Sequence, residues 1–519
     1  MRRRDFIRTI APVTFLGGFK INALSHLPFM DALAGAADND HVLVLVQLIG
    51  GNDGLNTVIP LDHYGDYVAA RSNIAIPQGK ILTLSKNPKT GLHPSLTGLK
   101  SLYDNDKLAV LQSVGYPFPD GSHFRSTDIW LTGADSDQYL DTGWTGRFLA
   151  DTYANFPVGF PNEAMPDPLA IQIGSVISPV FMAQTGTTAM AVPTDTAFYD
   201  LINGITEPEP DTPMGNELTY LRAVARQTNK YADVIEAAAK KITSQSPYPD
   251  GELAEQLKTV ARLIAGGLKT KVYMVSMGGF DTHGGQVQGG DTTTGNHANL
   301  LRQLSDGITA FMTDCQNLGV GKRVLGMTFS EFGRRIMSNG SFGTDHGAAQ
   351  PVFIFGEYAA TGVLGNSPDL SGTNVETNLP MQYDFRSVYS TILRDWFCVP
   401  ASDTTTMLLK NYQYLPFMKT TACNNTYDDL GSLGDKLISN SPNPFTDSTT
   451  IQFKTAGGHT LVQIFDASGK LIMVPVDQDY SPGTYVVSVG TSTLAAGIYY
   501  ARLQNQSVQQ VRTMLKVRR

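Results

Sequence analysis

The chain has 519 residues, a net charge of -8 and only 17% charged side chains. That length exceeds what one hydrophobic core usually organises and calls for two domains with peripheral segments. The mild acidity excludes the basic stripe of a nucleic-acid binder, so no nucleic-acid partner is expected. Three cysteines, Cys315, Cys398 and Cys423, are too few for a disulfide framework. Cys315 sits in a helical pattern and reads as a small buried hydrophobe; the sequence leaves open which cysteines pair.

The first residues, Met1-Arg2-Arg3-Arg4, precede a mostly apolar stretch over 10–19 and small residues at Ala32, Ala34, Gly35 and Ala36. This order of basic, apolar and small residues predicts an export signal peptide over 1–36. Within it, Arg3-Arg4 followed by Phe6, Ile7 and Arg8 resembles the twin-arginine export motif, which implies a route that carries folded proteins. No other apolar run is long enough to span a bilayer, so no transmembrane anchor is expected.

Residues 41–49 form a near-continuous apolar, β-branched run that reads as a buried strand. Shorter runs at 108–114, 271–277, 323–329 and 352–355 read alike, and helical patterns lie at 216–243, 252–265 and 296–318. Strands alternating with helices predict an α/β domain over 37–420 with a mostly parallel sheet flanked by helices. Ligands of such sheets bind at the carboxyl ends of strands, so the residues after each strand matter most. Residues 157–213, rich in Pro and Thr, read as a cap over that end.

Residues 421–437 carry Asn, Thr, Asp and Gly without periodicity and read as a linker. From 438 to 519, short alternating segments at 449–454, 460–465, 470–475, 483–489 and 497–504 predict a small all-β sandwich. The motifs Ser441-Pro442-Asn443-Pro444-Phe445, Phe465-Asp466-Ala467-Ser468-Gly469-Lys470 and Gly497-Ile498-Tyr499-Tyr500 occur in order before the basic end Lys516-Val517-Arg518-Arg519. This region resembles the type A sorting domain of the Bacteroidetes type IX secretion system. The resemblance implies export and secretion machinery as partners and a secreted or cell-surface location reached through the periplasm. A carbohydrate-binding sandwich is the alternative, disfavoured because the module has no Trp and few aromatics for a sugar platform.

Chemistry-bearing residues follow the strands. Gly50-Gly51-Asn52-Asp53 follows the first, with glycines that permit close backbone approach. Ser122-His123-Phe124-Arg125 follows the second; Ser122 fits a helix N-cap, where the dipole stabilises an alkoxide or a phosphate. As a lone serine it reads first as a simple cap, the commonest role of such a residue. Arg125, one turn on, offers an oxyanion clamp. Asp281-Thr282-His283 in a glycine-rich loop makes a plausible metal pair, and Glu331 and Asp345-His346 complete the set. Carboxylates with imidazoles suit Zn, Mn or Fe; carboxylates with hydroxyl and water suit Mg or Ca. Arg334 and Arg335 stand as substrate-oxyanion binders or as ion-pair partners of Glu331.

The order Asp, Ser, Asp with His, acidic residue, His resembles the two-metal sites of the alkaline phosphatase and sulfatase superfamily. The phrases Leu92-His93-Pro94, Ser122-His123-Phe124-Arg125-Ser126, Phe280-Asp281-Thr282-His283, Phe329-Ser330-Glu331-Phe332-Gly333-Arg334 and Thr344-Asp345-His346-Gly347 resemble, within it, an uncharacterised family of exported bacterial proteins. The resemblance implies that Asp53, Ser122 and Glu331 hold one divalent ion and that Asp281, His283 and His346 hold another. It implies Ser122 as nucleophile toward an anionic ester substrate. Phe332 departs from the pattern, which has His there, and Asp345, His123 or His93 offers a replacement. Two readings follow: an exported metal-dependent hydrolase of phosphate or sulfate esters, and a catalytically silent surface protein that keeps the fold and a metal. Phe332 favours the second.

Overall fold

Val42–Leu48 forms β1, with every residue buried. Its side chains alternate between two cores, as strand pleating requires. Val42, Val44, Val46 and Leu48 face one cluster and Leu43 and Leu45 face the other. A strand buried on both faces is apolar almost throughout, which is why 41–49 reads as a near-continuous run broken only by Gln47 after His41. The computed structural model describes residues 39–419 except 154 and 194–230, and 436–517 except 442, 456–457, 468, 481–482 and 506–507. The export signal and residues 421–435 of the expected linker lie outside the described residues.

The other strands of the central sheet are β2 (Leu108–Gly115), β3 (Ala170–Ile173), β4 (Ala189–Val192), β5 (Val272–Met277), β6 (Val324–Ser330), β7 (Gln350–Gly356), β8 (Gly362–Leu364) and β9 (Tyr383–Asp384). They lie in the order β8-β2-β7-β6-β1-β5-β3-β4, with β9 also on β2. All pairings are parallel except the two made by β7, which runs against β6 and β2. Helices α1 (Thr97–Asp104), α4 (Glu252–Ala265) and α5 (Asn296–Asn317) pack on one face. Helices α2 (His123–Thr132), α3 (Trp144–Thr152) and α6 (Phe385–Thr391) pack on the other, where Trp144 stacks on Tyr389 and Trp130 on Phe385. Each large apolar side chain so buried contributes roughly 1.5–3 kcal/mol.

The region expected to cap the site is corrected in part. Between 157 and 193 the chain supplies β3 and β4, the last two strands at one side of the central sheet, with β4 at its edge. The short apolar runs Ala-Ile-Gln-Ile and Ala-Met-Ala-Val are buried there as β partners. Residues 194–213 lie outside the described residues. Cys398 is disulfide-bonded, in keeping with an oxidising compartment, and Cys315 is free and buried.

The chain divides into two units, Met1–Cys423 and Asn424–Arg519. Among the described residues of the second, the strands of its two sheets pair only antiparallel. One joins β10 (Lys436–Ser441), β11 (Ser448–Thr455) and β14 (Gly483–Gly490); the other joins β12 (Gly458–Asp466), β13 (Leu471–Tyr480), β15 (Gly497–Asn505) and β16 (Val508–Lys516). Ile451 and Phe453 of the first sheet share a core with Val462, Ile464, Ala501 and Leu503 of the second, which makes a sandwich.

The first unit also buries two histidines outside the apolar clusters. His297 Nε2 donates to Asn52 Oδ1 at 3.0 Å. Burial lowers its pKa to about 4, and burial lowers that of His93 to about 3. Because the folded pKa lies below the unfolded one, protons bind the unfolded chain preferentially between those values, and stability is lost as pH falls below about 6.5. Urea unfolding at pH 7.5 and pH 5 should show a loss of roughly 2 kcal/mol from His297 alone. In His297→Gln that slope should flatten.

Candidate metal centre

β7 is antiparallel, so its start lies at the same end of the sheet as the ends of β1, β2, β5 and β6. The five loops singled out by sequence therefore meet over five adjacent strands. Gly50 and Gly51 carry the chain over that end at φ 122° and 79°. A Cβ at Gly50 would strike the Asp281 backbone, and one at Gly51 would strike the Phe332 ring. Only glycine permits both the conformation and the approach.

Arg334, fully buried, ties the loops together. Its Nε donates to Gly51 O at 2.7 Å and its Nη1 to Thr344 O at 2.8 Å. Nη2 reaches Gly50 O, Phe280 O at 3.2 Å and Asp281 Oδ1 at 2.6 Å. Asp281 is half exposed. Partial burial pushes its pKa up, but the Arg334 guanidinium outweighs this and holds it below the usual carboxylate range.

Three imidazoles converge on Asp281. His346 Nε2 lies 3.4 Å and His283 Nε2 3.3 Å from Asp281 Oδ1, and His123 Nε2 lies 3.6 Å from Oδ2. The ligand atoms of His123, Asp281 and His346 all lie within 4.8 Å of one another. Each ring has its other nitrogen anchored by an oxygen. His123 Nδ1 donates to Glu331 Oε1 at 2.7 Å, His283 Nδ1 to Asp345 Oδ1 at 3.0 Å and His346 Nδ1 to Gly121 O at 2.8 Å. An ionised carboxylate or a carbonyl only accepts, so each neutral ring keeps its proton on Nδ1 and turns the Nε2 lone pair inward.

The consequence is electrostatic. His283 Nε2 and His346 Nε2 face each other at 2.8 Å. Two lone pairs and a carboxylate at that separation repel unless a cation lies among them. Burial, aided by Arg334, holds the His346 imidazole below its ordinary pKa against the opposing Gly121 bond, which disfavours a proton as that cation. The anchored-imidazole pattern is the one that orients metal ligands, and the donor set fits a divalent ion.

The orienting groups are themselves held. Glu331 is buried, and its Oε1 also accepts from Gly50 N at 2.9 Å while Oε2 accepts from Ser330 Oγ at 3.0 Å. Asn339 donates to Asp345 Oδ1 at 3.0 Å and to His283 O at 2.8 Å, and the Asn339 bond is the leading cause that keeps Asp345 below its ordinary pKa. The Phe332 ring backs the imidazoles of His123 and His346, with centroids 4.9 and 4.6 Å away.

The remaining sequence candidates lie differently. Asp53 is fully buried away from the three imidazoles. Its carboxylate binds Arg71 Nη1 through both oxygens at 2.8 and 2.7 Å and Gln286 Nε2 at 2.5 Å. Burial pushes its pKa up, and the Arg71 guanidinium overrides that and brings it down. Arg125 bonds Asp128 within α2 and the carbonyls of Asp135 and Ser136 in the loop after it, and lies over the Tyr139 ring. It makes no oxyanion clamp in this arrangement. Ser122 is the exposed N-cap of α2 and makes no side-chain cap bond. It sits between Gly121, whose carbonyl holds His346, and His123. His93 is buried, with its Nδ1 accepting from Ser95 N at 3.0 Å. Arg335 bonds His346 O, Val375 O and Glu376.

Residues 205–405 match the family model described as "Protein of unknown function (DUF1501)", and residues 441–517 match the secretion system C-terminal sorting domain. The chain is accordingly a secreted or cell-surface protein handled by type IX secretion. Among the described residues, no helix is long and apolar enough to cross a membrane. No curated protein matches the chain. Its fold is similar to a protein of the alkaline phosphatase superfamily from Vibrio parahaemolyticus, at 8% identity and TM-score 0.32 over 92% of this chain and 82% of that one. It is similar also to the PsFucS1 sulfatase from Pseudoalteromonas sp., at 11% identity and TM-score 0.32 over 90% and 89%. The lipoteichoic acid synthase LtaP from Listeria monocytogenes matches at 9% identity and TM-score 0.31 over 75% and 79%.

The geometry separates the role of Asp53 from that of the imidazoles. Asp53→Asn should destabilise the protein by about 3 kcal/mol, because it strands the buried Arg71 charge, while leaving the number of bound metal ions unchanged. Denaturant unfolding and metal analysis of the variant check the two halves.

Proposed function

With residues 205–405 matching DUF1501 and residues 441–517 matching a sorting domain as the premise, we propose that the first unit is an exported metal-dependent hydrolase of phosphate or sulfate esters, built as in the alkaline phosphatase and sulfatase superfamily but around one ion. The observation that carries the reading is the set of three imidazoles, each anchored at Nδ1 and turned by Nε2 toward Asp281. His123, Asp281, His283 and His346 would hold the ion. A set rich in imidazole favours Zn, Mn or Fe over Mg or Ca. A divalent ion there supplies Lewis-acid stabilisation of the charge that builds on an ester oxygen.

The residues of the chain supply the rest. Ser122 is the nucleophile: it heads the ten-residue helix α2, whose positive end favours an alkoxide. Its neighbours on both sides touch the centre. Arg334 keeps Asp281 ionised. Glu331 and Asp345 act as orienting carboxylates, each fixing one imidazole tautomer. The second ion of the two-metal pattern lacks its set here, since Arg71 and Gln286 engage Asp53 and Glu331 is committed to His123. The same observation, with the Phe332 ring against His123 and His346, is what supports the second reading, a metal-binding surface protein without turnover.

Purified protein should carry about one equivalent of Zn, Mn or Fe by inductively coupled plasma mass spectrometry, and His283→Ala and His346→Ala should lose it. Ser122→Ala should keep the ion and lose turnover of aryl phosphate or aryl sulfate by about a thousandfold or more. An ion without any turnover in the wild type would select the second reading.

A further inference from the structure

The turn between β2 and α2 delivers three groups to the centre: the Gly121 carbonyl, Ser122 and His123. Nothing in the seven-residue turn over 116–122 fixes such groups by itself. The backbone on either side of Asp120 is closed into a ring of hydrogen bonds by two buried hydroxyls. Ser126 Oγ donates to Asp120 O at 2.6 Å. With its proton so placed, it accepts from the Tyr116 hydroxyl at 2.8 Å. The Tyr116 oxygen in turn accepts from Asp120 N at 3.0 Å. Three donors and three acceptors are satisfied in one direction around the ring, an arrangement in which each bond polarises the next. Asp120 then hands the order on: its Oδ1 accepts from Ser122 N at 2.7 Å. Gly121, held on both sides, presents its carbonyl to His346 Nδ1.

Resting on the single-ion reading, we propose that Tyr116 and Ser126 are positioning residues for the metal centre. Neither touches the ion-binding atoms. Both direct their hydroxyls to Asp120 and to each other, and through the turn they set the tautomer and direction of His346 and the placement of Ser122. Loss of either hydroxyl leaves the Tyr116 ring packed edge-on against Phe385, so the core is kept while the turn loosens.

The test uses the full chain with Tyr116→Phe and Ser126→Ala, and Tyr103→Phe as control, because the buried Tyr103 hydroxyl has no hydrogen-bond partner among the described residues. Zn²⁺ affinity is read by chelator competition, and amide hydrogen exchange is read on metal-free protein. Tyr116→Phe and Ser126→Ala should each weaken Zn²⁺ binding by about tenfold or more, the cost usual for a lost orienting group. They should also speed exchange at the Asp120 and Ser122 amides, while Tyr103→Phe changes neither. Faster exchange with unchanged affinity would overturn the inference, as would an equal loss of affinity in Tyr103→Phe. Wild-type protein that binds no Zn²⁺ would overturn the single-ion reading and this inference with it, a failure recognisable because the unmodified chain shows it.

Discussion

The Arg334 guanidinium hydrogen-bonds backbone of the loops after β1 and β5 and of the loop before β7, while pairing with Asp281. A buried cation is tolerated only when its donors are met and its charge is balanced. Here the acceptors are the carbonyls of Gly50, Gly51, Phe280 and Thr344, so the cost of burying the charge is offset only if those loops stay in place. A lysine could not substitute, because the loops are bridged by a planar fork rather than by a point charge. The glycines at 50 and 51 are the matching condition, since a side chain at 50 would strike the Phe280–Asp281 backbone and one at 51 would push Phe332 and the fork away.

A second buried pair stands behind the first. Asp53 and Arg71 neutralise each other, and Gln286 links that pair to the site loops, accepting from Thr282 Oγ1 at 3.1 Å and Thr344 Oγ1 at 2.9 Å. Arg71 also donates to the carbonyls of Ile336 and Arg335. The end of the sheet is thus organised by two guanidiniums, one holding the inner carboxylate of the centre and one holding the frame around it. The imidazoles rest on this frame through acceptors that are either backbone or fixed carboxylates. That explains how a partly exposed cluster keeps a defined geometry.

Much of this was readable in the sequence. Apolar runs gave β1, β2, β5, β6 and β7 within one or two residues, because strands buried on both faces leave no other pattern. The rule that α/β sheets bind ligands at strand ends picked out the loops that carry Ser122, Asp281, His283, Glu331 and His346. What it missed depends on contacts between distant residues. The order of acidic and hydroxyl residues pointed to Asp53 as a ligand, yet Arg71, 18 positions on and just past the end of the short helix Tyr64–Ala70, folds onto it. His123 read as a spare, although its place beside Ser122 at the head of α2 was a signal: the residue after an N-cap at a strand end points toward the same crevice. Phe332 read as a missing imidazole. In the structure it is a buried wall against two imidazoles, a role that periodicity cannot show.

The central claim is that His123, His283 and His346 bind one ion through Nε2 beside Asp281. X-ray absorption spectroscopy at the metal edge of zinc-loaded protein tests it most directly. The account predicts one zinc site with about three imidazole nitrogens near 2.0–2.1 Å, carboxylate or water oxygen completing the shell, and loss of one imidazole contribution in His123→Ala. A shell of oxygen alone, or a zinc site unchanged by His123→Ala, would contradict it.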